Sequence, residues 1–595
     1  MFFGNVFGEF DIVSGLTFRS SFGMKYENYN GVSYTYPNPE FTEGSFNNGI
    51  NEYFGLNKEW TWTNTLNYKA TFNDEHTLSI LAGTEAIQNR NRQISGKGNG
   101  FFTMSSLDYL YLGAASTGRV SDGSGAIGSL FSIFGKVDYS FKDRYILSAT
   151  VRRDGSSNFG PNNKYGTFPG ASAAWRLSQE EFMKDVSWIS DLKIRAGYGV
   201  TGNQRIPANQ YLNRYQVAIN SSSYPIDGSL TSGMWQNAYN NPDVKWEQVS
   251  ALNIGLDFTL AQGDFDGSFD WYNKKTKDML YLLPLPAVAA GRAGSPYVNI
   301  GDMQNKGVEF SLNYHYGRRQ ESQFKFDLSA TISRNVNKVV ALAPSVTQQV
   351  YGSFRSMETS ILKPGEPIGA FYGYKVIGIY SDADMSNASV AKYEDGKSRA
   401  GGLKFADING DGKIDASDRT IIGSPHPDFV YSFNINASYK NFDFMAYFYG
   451  SKGNQNYEAT RYFTDFGVFR GQKSVRVLDA WDAKTNPSSM IPSQVVGASA
   501  YEYASSSYYV QDASFLKLKN LQVGYNFDTN KVFGNNTGIK KLRAYIGATN
   551  LFTITKYQGL DPEVSATPST YSALGVDFGV YPQARQYMLG VSLGF

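Results

Sequence analysis

Twelve consecutive residues, Asp407-Ile408-Asn409-Gly410-Asp411-Gly412-Lys413-Ile414-Asp415-Ala416-Ser417-Asp418, set oxygen ligands at the spacing a divalent cation requires. Side-chain oxygens from Asp407, Asn409, Asp411, Asp415 and Asp418 fall at positions 1, 3, 5, 9 and 12 of an EF-hand-type loop. Lys413 offers a backbone carbonyl between them, and Gly412 holds the sharp-turn position. Two features depart from the pattern. Asp418 stands where a longer, bidentate Glu closes the sphere, and no helical pattern flanks the segment. The spacing predicts a structural Ca2+, for which millimolar external calcium suffices even at a weak site. The same residues also fit an Asx-rich loop whose carboxylates cap their own turns. Spacing leaves both accounts open.

Other chemistry-bearing patterns are weaker. Gly123-Ser124-Gly125-Ala126-Ile127-Gly128 spells a dinucleotide-binding fingerprint, but it leads into Leu130-Phe131-Ser132-Ile133-Phe134, a strand where a helix is needed. A flexible loop is expected there. His76, His315 and His426 are far apart, with no zinc spacing and no nucleophile elbow. No enzyme is expected. Trp235, Tyr239, Tyr351, Tyr508 and Tyr509 could stack on sugars, yet loop packing and interfacial girdles are the stronger account. No substrate-binding residue is assigned.

The elements that must carry these residues follow from composition and period. The chain has 595 residues, no Cys, and a net charge of 55 − 53 = +2. Disulfides, thiolate metal sites and Cys nucleophiles are excluded, and nothing in the charge calls for nucleic acid. The 42 Tyr, 41 Phe, 8 Trp and 60 Gly suit a large antiparallel sheet. No apolar run reaches the roughly 18 residues of a membrane helix, and the N-terminus does not read as a signal peptide. A secreted chain without one would be a mature chain or a fragment.

Apolar residues alternate with polar or small ones along most of the sequence. Leu252, Ile254, Leu256, Phe258 and Leu260 oppose Asn253, Gly255, Asp257 and Thr259; Phe429 to Tyr439 repeats the pattern. Runs of about ten residues match the length of a tilted strand crossing a bilayer. About seventeen such strands are predicted. Short links recur near 14–15, 74–75, 142–143, 261–263, 317–321, 440–441 and 529–538, with a link holding a helical turn near 178–191. Long ones fill 26–58, 91–128, 203–245, 282–302, 338–427, 451–512 and 553–585. Short turns on one side and long loops on the other predict a transmembrane up-and-down β-barrel with long extracellular loops. The chain closes on Tyr587, Leu589, Val591, Leu593 and Phe595, the greasy face of a last strand running inward.

Several segments resemble the SusC/RagA family of TonB-dependent outer-membrane transporters of Bacteroidota. They include Arg153–Gly160, Tyr165–Pro169, Trp175–Ser178, Gly197–Gln204, Asn241–Glu247, Asn299–Met303, Asn305–Glu309, Asp407–Gly423 and Ala548–Phe552. The resemblance implies an all-β transmembrane barrel over residues 1–595. The loop 338–427 would carry the calcium segment 407–418. Family barrels have 22 strands and a plugged lumen. About seventeen of those strands are expected here, forming the C-terminal barrel portion, with the plug and TonB-contacting segment absent. The implied function is TonB-dependent import of a nutrient oligomer, oligosaccharide first, across the bacterial outer membrane. Its implied partners are a SusD-like surface lipoprotein, TonB through the missing N-terminal part, and lipid. A passive porin and a surface structural or adhesion barrel are the alternatives.

Overall fold

The computed structural model describes all residues except 39–46, 103–106, 217–222, 284–292, 319–321, 343–345, 356, 468–470, 496–497, 535–537 and 564–573. Seventeen strands form one antiparallel sheet. In chain order they are β1 (Phe2–Val13), β2 (Leu16–Thr35), β3 (Gly49–Phe72), β4 (His76–Asn99), β5 (Thr117–Phe141) and β6 (Tyr145–Ser156). Then come β7 (Tyr165–Arg176), β8 (Ile189–Asn203), β9 (Glu247–Leu260), β10 (Phe265–Lys277), β11 (Asp302–Tyr316) and β12 (Phe324–Ala341). The last are β13 (Phe429–Tyr439), β14 (Phe442–Lys452), β15 (Phe515–Phe527), β16 (Lys541–Thr555) and β17 (Gln586–Gly594). Among the described residues no helix is long and apolar enough to cross a membrane.

Chain contacts divide the protein into two units, residues 1–175, 196–251 and 276–300, and residues 176–195, 252–275 and 301–595. In the first unit β1 to β7 pair each with the next. In the second, β11 to β17 do the same. Tight turns join alternate pairs. Lys142, Asp143 and Lys440 sit there at positive φ, the left-handed region that two-residue hairpin turns demand. The link after β7 holds two short 3-10 turns, Leu177–Gln179 and Glu181–Met183, as its composition predicts.

Strand lengths depart from expectation. β3, β4 and β5 run for 24, 24 and 25 residues, far beyond a bilayer crossing. The supposed loops 26–58 and 91–128 shrink to 36–48 and 100–116. The Gly123–Gly128 segment is therefore regular strand and not flexible loop: Gly123 to Gly128 pair with Ile94 to Asn89. Backbone pairing needs no hydrophobic period. Where neither face meets lipid or core, the alternation vanishes while the ladder continues.

Within the bilayer-length stretches one face is apolar and the other small or charged. Leu589 is 81% exposed on β17, and Tyr587, Val591 and Leu593 flank it on the same face, as a lipid-facing strand requires. On its other face Gly590 lies opposite Tyr545, whose ring covers the place a Cβ would take. Polar faces are tied by ion pairs: Arg195 forks onto Asp270 at 2.7 and 2.6 Å and reaches Asp257 at 3.2 Å. Leu589→Arg is expected to destabilise the inserted fold by about 2–4 kcal/mol. Gel mobility of the unboiled protein from outer membranes checks it: the folded band should be depleted for Leu589→Arg and retained for Leu589→Ala.

Candidate functional site

The outer connections hold the chemistry. In the first unit, the segments after β6 and β8, with Phe168 of β7, share a small core of Phe159, Phe168, Ile206, Val244 and Trp246, against which Leu280 and Tyr297 from the segment after β10 pack. Trp246 Nε1 donates to the Lys164 carbonyl at 3.2 Å, and Asn163 Nδ2 to the Asp243 carbonyl at 2.9 Å. Asn299 Oδ1 accepts from Lys245 N, and its Nδ2 donates back to the Lys245 carbonyl, both at 2.8 Å. The resemblance-bearing segments Arg153–Gly160, Tyr165–Pro169, Asn241–Glu247 and Asn299 thus meet in one place, and their role there is to fix loops. Trp246→Ala is expected to cost about 3–5 kcal/mol of packing. Limited proteolysis should then cut within 204–211 and 239–246 faster than in the wild type.

In the second unit, the connections 342–428, 453–514 and 556–585 fold on a larger aromatic core. Tyr380, Tyr457, Tyr509, Phe371 and Phe405 are fully buried there, each such ring contributing roughly 1.5–3 kcal/mol. Charged groups are buried beside it. Glu502, 1% exposed, receives Arg399 Nε at 2.9 Å and Nη2 at 2.7 Å. Burial pushes the Glu502 carboxyl up despite that guanidinium. Lys517 on β15, 2% exposed, donates to Asp561 at 2.7 Å and Glu563 at 3.0 Å, pinning the last connection to the sheet.

Between these connections lies an open cleft of about 630 Å³. Arg461 and Arg476 line it together with Gln558. Arg461 Nε donates to Glu458 at 2.6 Å, and Arg476 Nε to the fully buried Asp465 at 2.8 Å. Both guanidiniums then donate to one acceptor, Gln558 Oε1, from Arg461 Nη2 at 2.8 Å and Arg476 Nη1 at 3.0 Å. Tyr508 and Tyr509, candidates for stacking on sugars, are packing residues: Tyr509 is buried, and the Tyr508 hydroxyl donates to Asp465 at 2.8 Å.

The predicted metal residues Asp407, Asn409, Asp411, Lys413, Asp415 and Asp418 form one compact loop, anchored through Ile414 in the aromatic core. Asp407 accepts Gly410 N at 2.7 Å and Gly412 N at 2.8 Å. Asp418, fully buried, accepts Ile408 N at 2.8 Å and Asp415 N at 2.9 Å. Asn409, Asp411 and Asp415 each accept a backbone N–H two residues ahead. Gly410 and Gly412 take the positive φ this winding needs. Among the described residues, no group of three or more acidic or His side chains is placed to hold a metal ion. As folded, the segment caps its own turns.

The three histidines do not meet. His315 lies between Asp327 and Asp266 at 2.6 and 2.9 Å, His76 contacts the Tyr139 hydroxyl at 2.7 Å, and His426 the Ile368 carbonyl at 2.7 Å. Sequence reasoning did not find Arg461, Arg476 and Gln558. Arg461 and Arg476 share one connection and Gln558 belongs to another, and no spacing rule links the three; only Arg461, three residues after Glu458, carries a local signal.

Residues 5–551 match the family model described as TonB dependent receptor-like, beta-barrel. The chain is 34% identical to TonB-dependent receptor P3 of Formosa agariphila, over 99% of this chain and 58% of that protein. It is 32% identical to TonB-dependent receptor SusC of Bacteroides thetaiotaomicron, over 78% of this chain and 44% of that protein. Among solved structures, the RagAB peptide transporter superposes with a TM-score of 0.82 at 26% identity, covering 99% of this chain and 61% of that one. The chain thus spans about half the length of the curated relatives it matches.

Proposed function

Because this chain belongs to the TonB-dependent receptor β-barrel family, on its SusC/RagA branch in the bacterial outer membrane, we propose that it serves energised import of a nutrient oligomer. The cargo class is oligosaccharide first. A peptide cargo is the second reading, favoured by the likeness to a peptide transporter. A SusD-like surface lipoprotein and TonB are the proposed partners, and no covalent step is involved. The observation that carries the reading is the family match through 5–551, and the folded, cleft-bearing connections of the second unit support it. A deletion strain given labelled oligosaccharide and peptide pools should lose uptake of one pool. Undiminished uptake of both overturns the proposal.

Calcium in Asp407–Asp418 is part of the same proposal, supported by the ligand spacing. Asp407→Ala with Asp411→Ala should expose 400–425 to protease. Equal resistance with and without chelator would count against the ion.

A further inference from the structure

We propose that Arg461 and Arg476 form a carboxylate-recognition site for the imported oligomer, with the Gln558 side chain standing where the ligand's carboxylate would sit. The inference rests on the import reading and names the chemistry of the cargo. Two guanidiniums donating to a single neutral amide oxygen is an under-used arrangement. A carboxylate accepts from Arg through charge-assisted, paired bonds roughly twice as strong as neutral ones. The donors are pre-set. Each Nε is locked onto Glu458 or Asp465, and Arg461 Nη1 is held by the Tyr508 carbonyl at 2.8 Å. A guanidinium carries five N–H donors, so each arginine keeps donors beyond those fixed by the protein.

Glu458 and Asp465 balance the two positive charges. Recognition therefore depends on directed donors and not on a bare positive patch. Met490 and Ile491 supply apolar lining. Gln558 is suited to leave. It is exposed, and its backbone N is held independently by Gln511 Oε1 at 3.1 Å, so the side chain can rotate away without unfolding the chain. The cleft volume of about 630 Å³ lies within the range of small-ligand sites, roughly 300–1,000 Å³.

The test uses the protein purified from outer membranes in detergent, with two matched probe pairs. One is tetra-alanine with a free C-terminus against its amide; the other is tri-galacturonate against its methyl ester. The acid member of at least one pair should bind about tenfold tighter or more, and the pair that discriminates identifies the source of the carboxylate. Gln558→Glu fills the slot permanently and should abolish the preference. Gln558→Ala empties it and should keep or enlarge the preference. Both variants leave the buried ion pairs intact, and unboiled gel mobility confirms folding. Equal affinities within both pairs, or a preference that survives Gln558→Glu, overturns the inference. If deletion still abolishes pool uptake in that case, the import reading stands and only the carboxylate assignment falls.

Discussion

Arg399→Met should open the aromatic loop core at neutral pH, and Arg399→Met combined with Glu502→Met should close it again. The single change leaves Glu502, 1% exposed, without the guanidinium that donates to both of its oxygens. Removing one partner of a buried pair typically costs about 3–5 kcal/mol, whereas replacing both with apolar groups is often neutral or stabilising. Glu502 is already pushed up by burial. A carboxyl raised in the fold favours folding while protonated and loses that contribution as pH rises through its folded pKa. The single variant should therefore be mended partly by acid. Arg399 also donates to Ser493 Oγ at 2.6 Å and to the Ser493 carbonyl at 2.9 Å, so the double variant should recover most of the loss, not all. Protease cutting between 380 and 405 at pH 7 and pH 5 measures both effects. A double variant as fragile as the single would refute the pairing argument.

Lys517→Met should release the last connection from β15. Lys517 is 2% exposed and holds Asp561 and Glu563, while Lys519 holds Glu563 at 2.7 Å. Without Lys517 the Asp561 carboxylate loses its ammonium, again about 3–5 kcal/mol. Burial pushes the Asp561 carboxyl up, but Lys517 and the backbone N–H of Glu563 more than offset this, so it lies below its ordinary value of 3.8. For a depressed carboxylate, the stabilisation is full above the ordinary value and fades as pH falls through the folded one. The wild-type tether should therefore hold from neutral pH to about pH 4 and loosen only below that, whereas Lys517→Met is loose at pH 7. The chain has no native Cys, so a single Val576→Cys, at a fully buried position of the same connection, gives a clean maleimide reporter. Its labelling should quicken roughly 100-fold or more in the Lys517→Met background.

What could be read from the sequence follows the physics of its side chains. β17 announces itself because lipid demands an apolar residue at every second position. The alternation of short and long links is legible because tight turns need few residues. The outward halves of β3, β4 and β5 were missed: Asn89, Asn91, Gln93, Gly123 and Gly125 pair through backbone atoms and show no period. The acidic loop was legible as a unit, since its winding depends on neighbours in sequence. The arginine pair was not, since Arg461 and Gln558 lie 97 residues apart and meet only through tertiary packing.

The long ladders have a mechanical consequence. At roughly 3.3 Å per residue, the 24 residues of β3 span about 80 Å, and a lipid band of about 25 Å takes up only part of that. The remainder is paired backbone carrying its hydrogen bonds side by side across the strand direction. A pull directed along these strands would load those bonds in shear, many at once, so the rods resist extension where a loop of equal length would stretch. Force applied at one end of such a hairpin arrives at the other with little lost in between.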